Sequence, residues 1–277
     1  MSQTASPKFP EEIASFYGQI SEESRLAAGP SQLEFERTKE IIARYLPSSP
    51  VTVLDIGGAA GAYSFWLAEK GHKVHLVDAL DRHLAQARRR SQISGISLAS
   101  CEVADARKLP HFADVADAAL LMGPMYHLTE ATDRQRALRE VHRVLKPGGI
   151  VFVAAISRFA SALDGLARDL FADPAFTRIV QNDLDGGVHQ NSTGNLDYFT
   201  TAYFHRPDEI GDELLAAAFR HEGTFGVEGP GWILSDFNRR WNDPRTREDL
   251  LRVARDLEQE PSMIGVSAHL LAVGAKI

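Results

Sequence analysis

Three aspartates stand where short apolar runs give way to loops, and their neighbours decide what they can bind. The first closes Val51-Thr-Val-Leu-Asp55 and precedes Ile56-Gly57-Gly58-Ala59-Ala60-Gly61, after which Tyr63, Trp66 and Leu67 recur at helical spacing. Glycines in such a turn let a ligand approach the main chain, and the following helix start presents unpaired N–H groups. A dinucleotide fingerprint, G-x-G-x-x-G, fails here, because counting from Gly57 the second position is Ala59 and the third is Ala62. A carboxylate at Asp55 repels a pyrophosphate but accepts hydrogen bonds from an ammonium group. The stretch therefore points to a nucleotide-like ligand that is zwitterionic and free of phosphate.

Asp78 ends the next apolar run, Lys73 to Val77, about twenty residues past the glycine turn, where an acid suits the hydroxyls of a ribose. Asp105 follows a third run, Ser97 to Val103. A fourth, Asp117 to Met122, is halted by Gly123-Pro124, and Tyr126 and His127 come directly after it. If the chemistry requires a proton to be taken, His127 is the first candidate base, with His189 and His205 as alternatives. Arg37 is a possible partner for a ligand carboxylate or, equally, one half of a surface ion pair. No spacing of histidines and carboxylates typical of a metal site is evident, so no metal is expected.

These residues need a scaffold, and the periodicities supply one. Strands at Val51–Ile56, Lys73–Val77, Ser97–Val103, Asp117–Met122 and Ile150–Ile156 alternate with helices, one ending at Gly71, one at Leu80–Arg90 and one at about Glu130–Leu145. This alternation predicts an α/β fold with helices on both faces of a parallel sheet. Two helices precede the first strand, Glu11–Ile20 and one that a capping-box pattern, Ser31-Gln-Leu-Glu34, starts and Pro47 ends. After the fifth strand the pattern lapses from Ser157 to His205, with helices at Ala160–Phe171 and Pro174–Gln181 and an aromatic run from Tyr198 to His205. Such an insertion usually lies over the carboxyl ends of the strands. A helix at Pro207–Phe219, a strand at Gly223–Val227, a helix at Arg245–Glu260 and a closing strand at Val266–Val273 complete the chain.

With 277 residues, 44% of them hydrophobic, the reading is a single domain over 1–277. Its parts are an N-terminal helical lid at 1–47, a ligand-binding half at 48–157, a lid insertion at 158–205 and the rest of the sheet at 206–277. A net charge of −7 argues against a protein that neutralises phosphate backbones, and Arg88-Arg89-Arg90 reads as a solvated helix end. Cys101 is the only cysteine, so no intrachain disulfide forms. The chain start lacks a secretion-signal pattern and the longest apolar run, Ile150–Ile156, is too short for a membrane span, so a cytoplasmic protein is expected.

Taken together, Asp55 to Gly61, Asp78, Asp105-Ala106 and the turn Leu145-Lys-Pro-Gly-Gly149 resemble the motifs of class I S-adenosylmethionine-dependent methyltransferases, in their order and at their strand ends. Ala59 stands where many members carry glycine. The resemblance implies a Rossmann-like seven-stranded sheet of order 3-2-1-4-5-7-6 with strand 7 antiparallel. It also implies S-adenosylmethionine as cofactor, with S-adenosylhomocysteine as product. Cofactor contacts are then expected from Asp55, Gly57, Gly58, Ala59, Gly61, Asp78, Ala79, Asp105, Ala106 and Met122. Tyr126 and His127 fall in a loop that faces the transferring methyl in the family, and Tyr17, His189, Asn191, Tyr203 and His205 are lid positions for substrate. The branch resembled, that of ubiquinone biosynthesis, implies a small-molecule acceptor, with no nucleic acid or membrane partner and the oligomeric state left open. An RNA or protein methyltransferase, or a catalytically idle cofactor-binding subunit, are the alternatives.

Overall fold

The computed structural model describes residues 10–19 and 25–277; Ile20, expected at the end of the first helix, lies outside the described residues. Helices α1 (Glu11–Gln19) and α2 (Ser31–Tyr45) precede the first strand, as their periodicity predicts. The expected capping box does not form. Helix α2 has no side-chain cap, and Glu34 instead receives a two-pronged bond from Arg25 at 2.8 and 3.1 Å. A carboxylate buried at this depth needs a cation more than a helix N–H.

The next elements are β1 (Thr52–Ile56), α3 (Ala62–Glu69), β2 (Lys73–Asp78), α4 (Asp81–Ser94), β3 (Ser100–Val103), β4 (Ala116–Leu121), α5 (Pro124–His127), α6 (Ala131–Val144) and β5 (Leu145–Ser157). Strand β3 starts later than its apolar run suggested, because Gly95 takes a left-handed turn and residues 96–99 serve as connection. Strands β1 to β5 pair in parallel in the order β3-β2-β1-β4-β5. The alternation of β1 divides its side chains between two cores: Leu54 and Ile56 pack with Val141 and Leu138 of α6, and Val53 packs with Ile41 and Ile42 of α2. Burial on both faces explains why the strands read as continuous apolar runs.

Beyond β5 come α7 (Ala160–Arg168), α8 (Pro174–Gly186), β6 (Val188–His189), β7 (Ala202–His205), α9 (Glu209–Ala216), β8 (Phe219–Gly226), α10 (Phe237–Asn242), α11 (Pro244–Leu257) and β9 (His269–Lys276). Strand β9 runs antiparallel between β5 and β8. The seven main strands thus follow the expected order, with β8 and β9 as the sixth and seventh of that count and β9 the antiparallel one. Strand β8 begins at Phe219, where a helix end was expected, because α9 stops at Ala216 and Ala218 turns left-handed.

The insertion also joins the sheet, which its aromatic run did not reveal. At Ile156, β5 pairs with His269 of β9 on one side and Phe204 of β7 on the other. Strand β7 therefore continues the β4 edge above the point where β4 ends opposite Val153. This brings the insertion over the carboxyl end of β4. No helix among the described residues is long and apolar enough to cross a membrane.

Candidate active site

The turn after β1 is tied to β2 from the start. The N–H of Gly57 donates to the Val77 carbonyl at 2.7 Å, and that of Gly61 closes the turn on Gly58 at 2.8 Å. Gly57 has φ +72°, and a Cβ built there would fall 2.4 Å from Cδ of Pro124, so the turn and the loop after β4 touch as only glycine allows. Ala59 takes φ +49°, a left-handed conformation costing an L-residue about 1–2 kcal/mol. The alanine thus keeps the backbone shape that glycine would adopt. Its N–H donates to Asp78 Oδ2 at 3.0 Å, which links the glycine turn to the acid of β2.

Asp55 lies beneath this turn, fully buried, and does not line the cavity. A Cβ on Gly58 would lie 2.5 Å from its carboxylate, which shows how closely the turn covers it. Ser64 of α3 donates to Oδ2 at 2.6 Å, and Oδ1 has no partner. Burial, with a smaller contribution from the Asp78 charge, pushes its carboxyl up to about 6. Asp55, expected to meet a ligand ammonium directly, is separated from the cavity by the backbone of the turn. Gly61 likewise shapes the helix start without lining the cavity.

Gly57, Gly58, Ala59, Asp78, Ala79, Asp105, Ala106 and Met122 do converge on one cavity at the carboxyl ends of β1, β2 and β4. Asp78 accepts from Ala59 and Leu80 N–H groups and faces Nδ1 of His83 at 3.1 Å. His83 also lines the cavity and was not singled out from the sequence; its signal was only a histidine in the first turn of the helix after the acid. Asp105 is gripped by Arg107, whose backbone N–H, Nε and a terminal nitrogen reach it at 2.8, 2.9 and 2.7 Å. Three of roughly four lone-pair directions are thereby used, leaving one on Oδ2 for a ligand. Strong pairing with Asp105 and Asp133 raises the Arg107 guanidinium further above its ordinary range.

On the β4 side, Pro124 opens the single turn of α5 and delivers Tyr126 and His127 to the cavity. The Tyr126 hydroxyl donates to the Met122 carbonyl at 3.2 Å. His127 Nε2 lies 2.7 Å from the hydroxyl of Tyr17, which α1 brings across from the chain's start. Burial pushes the His127 imidazole down to about 4, only partly offset by the Thr201 backbone and the Asp78 charge. Phe199, another residue the sequence did not single out, lies over His127 with ring centroids 6.1 Å apart and packs edge-on against Phe16. Its backbone has φ +63° and ψ −169°, a region that side chains avoid. Thr201 bonds Glu12 at 2.7 Å, so α1 and the insertion meet directly above the loop after β4.

The other lid positions are turned elsewhere. His189 is buried between Asp183, 2.9 Å from Nδ1, and the Tyr198 carbonyl, 2.7 Å from Nε2. Asn191 pins its own loop through the carbonyls of Asn195 and Phe199. The Tyr203 ring lies under the Arg134 guanidinium, and His205 faces Glu213 at 3.4 Å, buried in the sheet. None of the four lines the cavity, and their partners tie the insertion to itself and to α6 and α9. Arg37 is also outside it, buried and bonded to Glu40 and Glu258; Arg25, paired with Glu34, is the arginine from this region that reaches the cavity.

A family model described as a methyltransferase domain matches residues 53–149. A ubiquinone/menaquinone biosynthesis C-methyltransferase of Acidiphilium cryptum is 36% identical over 129 residues, 45% of this chain and 49% of that enzyme. A ubiquinone biosynthesis O-methyltransferase of Caulobacter vibrioides is 30% identical over 205 residues, 72% of this chain and 73% of that one. In the first curated relatives the matched region is about half of the protein or less, 49% and 42% of their length. Among solved structures, a 1,6-didemethyltoxoflavin N1-methyltransferase of Burkholderia thailandensis, with 1,6-didemethyltoxoflavin and S-adenosylhomocysteine bound, shares the fold. Its TM-score is 0.57 at 16% identity, over 96% of this chain and 85% of that one.

Proposed function

From the premise that the chain belongs to the class I S-adenosylmethionine-dependent methyltransferases, we propose that it methylates a small molecule. The observation that carries this reading is the convergence of the glycine turn, Asp78, Asp105-Ala106 and the His127 loop on one cavity. The residues fit the cofactor: the turn keeps its glycine-like shape at Ala59, and Asp78 stands at the end of β2 with a carboxylate on the cavity wall. Asp78 would hold the ribose, Asp105 and Ala106 the adenine, and the turn at Gly57–Ala59 the amino-acid portion.

When bound, S-adenosylmethionine supplies an electrophilic methyl group, which the acceptor's electron pair takes as the carbon–sulfur bond breaks. What this chain adds is alignment and exclusion of water, which supply roughly 7–11 kcal/mol of a barrier when well arranged. Tyr126 and Tyr17, both on the cavity wall, would help seat the cationic sulfonium. His127, held at about 4, is a weak proton acceptor, and a general base works best near the operating pH. This favours an acceptor that ionises readily, such as a phenol, a thiol or an enolic carbon. Helix α1 and the insertion at 158–205 act as the lid, joined through Glu12–Thr201, while Tyr17–His127 ties α1 to the loop after β4; α2, expected in the lid, packs on the sheet against Val53 instead.

A net charge of −7 and small-molecule relatives support this acceptor class over RNA or protein. The test is transfer of a labelled methyl from S-adenosylmethionine into a native cell extract. Label in a compound small enough to pass an ultrafiltration membrane is expected. Label confined to RNA or protein, or absent while cofactor binds, would replace this reading with one of its rivals.

A further inference from the structure

We propose that His75, Glu102 and His111 form a binding site for one divalent transition-metal ion of the zinc type, on the edge of the sheet away from the cavity's reacting side. The three side chains each offer a ligand atom, and these atoms all lie within 4.8 Å of one another. The fold brings them together from three segments. His75 of β2 pairs in register with Ser100 of β3, and Glu102, two residues on, points to the same face as Ser100. His111 arrives from the following loop, whose carbonyls at Leu109 and His111 accept from Arg143 of α6 at 3.1 and 2.7 Å.

Two details suit a cation better than a simple polar cluster. His111 Nε2 is 3.6 Å from Glu102 Oε1, too far for a hydrogen bond, and both buried ring nitrogens of His111 have no partner. Two ligands at about 2.0 Å from a tetrahedral ion stand about 3.3 Å apart, close to that separation. The second detail is proton accounting. The Ser100 hydroxyl donates to Glu102 at 2.5 Å, so at His75 Nδ1, 2.8 Å away, it must accept. His75 then carries its proton on Nδ1 and keeps the Nε2 lone pair for an ion, with Ser100 orienting two of the three ligands. Two imidazoles and a carboxylate, with water completing the shell, suit zinc, cobalt or nickel.

A second histidine–carboxylate group, Glu34, Glu228 and His269, is a poorer host. His269 Nδ1 is already bonded to Glu228 at 2.5 Å, and the Arg25 charge on Glu34 opposes a cation. At the proposed site the ion would tie Glu102 to His111, the two ends of the segment carrying Asp105, Ala106 and Arg107. It would therefore brace one wall of the cavity without touching it.

The test is titration of the purified full chain, stripped with a chelator, with cobalt chloride and separately with zinc chloride. One cobalt ion per chain with visible absorption is expected, together with a rise in melting temperature on adding zinc. His75→Gln and His111→Ala should each weaken binding at least tenfold, while His269→Gln leaves it unchanged. His75→Gln guards against loss of folding in the loop variant. Absence of saturable binding, equal binding by His75→Gln, or loss of binding in His269→Gln instead, would overturn the proposal.

Discussion

The hydroxyl of Tyr17 and Nε2 of His127 lie 2.7 Å apart, joining a helix that precedes the first strand to the loop that follows the fourth. The contact spans 110 residues of sequence and places the imidazole between Tyr17, Tyr126 and Phe199. In the proposed function Tyr17 positions His127, and this bond ties α1 to the loop after β4.

Removing that bond with Tyr17→Phe is expected to lower turnover about fivefold, the equivalent of about 1 kcal/mol for one hydrogen bond, with little change in cofactor affinity. His127→Ala should lower turnover more than it weakens cofactor binding. In the double variant the tyrosine change should add almost nothing, since residues acting through each other are not additive. Steady-state kinetics of the four proteins check this, and fully additive losses would separate the two residues.

Asp55 offers a prediction with a definite sign in pH. Its carboxyl is raised from 3.8 to about 6 on folding, so the folded state holds a proton that the unfolded state releases between those values. The stability it contributes is present below the lower value, fades as pH rises through the upper one, and is absent at neutral pH. Asp55→Asn keeps an oxygen for Ser64 and removes the buried charge. Its melting temperature should therefore exceed the parent's at about pH 8, with the gain shrinking toward about pH 5. Affinity for S-adenosylhomocysteine should change by less than about threefold, since the turn separates Asp55 from the cavity. A variant destabilised at the higher pH would show that the carboxylate is needed ionised.

Phe199 tests whether strain is stored over the site. Its φ of +63° with ψ of −169° costs about 1–3 kcal/mol for a residue with a side chain and nothing for glycine. Both Phe199→Ala and Phe199→Gly lose the ring contacts with Phe16 and His127, so comparing them isolates the backbone. Urea denaturation should find the glycine variant more stable by about 1 kcal/mol, the reverse of the usual order. Equal stability, or alanine ahead, would mean the strain relaxes without cost.

What was legible in the sequence was whatever local spacing encodes. Glycines between an acid and a helical repeat, an acid at the end of β2, and Gly-Pro after β4 each act within a few residues, and the structure places them together. The insertion was legible as such, but not its contacts. His189 and His205 looked free to serve as bases, yet Asp183 and Glu213 engage them, and nothing in local spacing announces such pairings. Phe199 and His83 were missed for the same reason, since their roles depend on Tyr17, His127 and Asp78 arriving from other elements. Asp55 was recognised as important, but its depth beneath Gly58 is a property of the folded turn. The cluster of His75, Glu102 and His111 is likewise invisible in sequence, because strand pairing and not spacing assembles it.

The proposed function rests above all on Asp78 and the glycine turn as the cofactor site. Isothermal titration with S-adenosylhomocysteine tests it most directly, with Asp78→Asn beside the parent. Saturable binding to the parent and at least a tenfold loss in Asp78→Asn, about 1.4 kcal/mol or more, are predicted. No binding by the parent, or undiminished binding by the variant, would contradict the account.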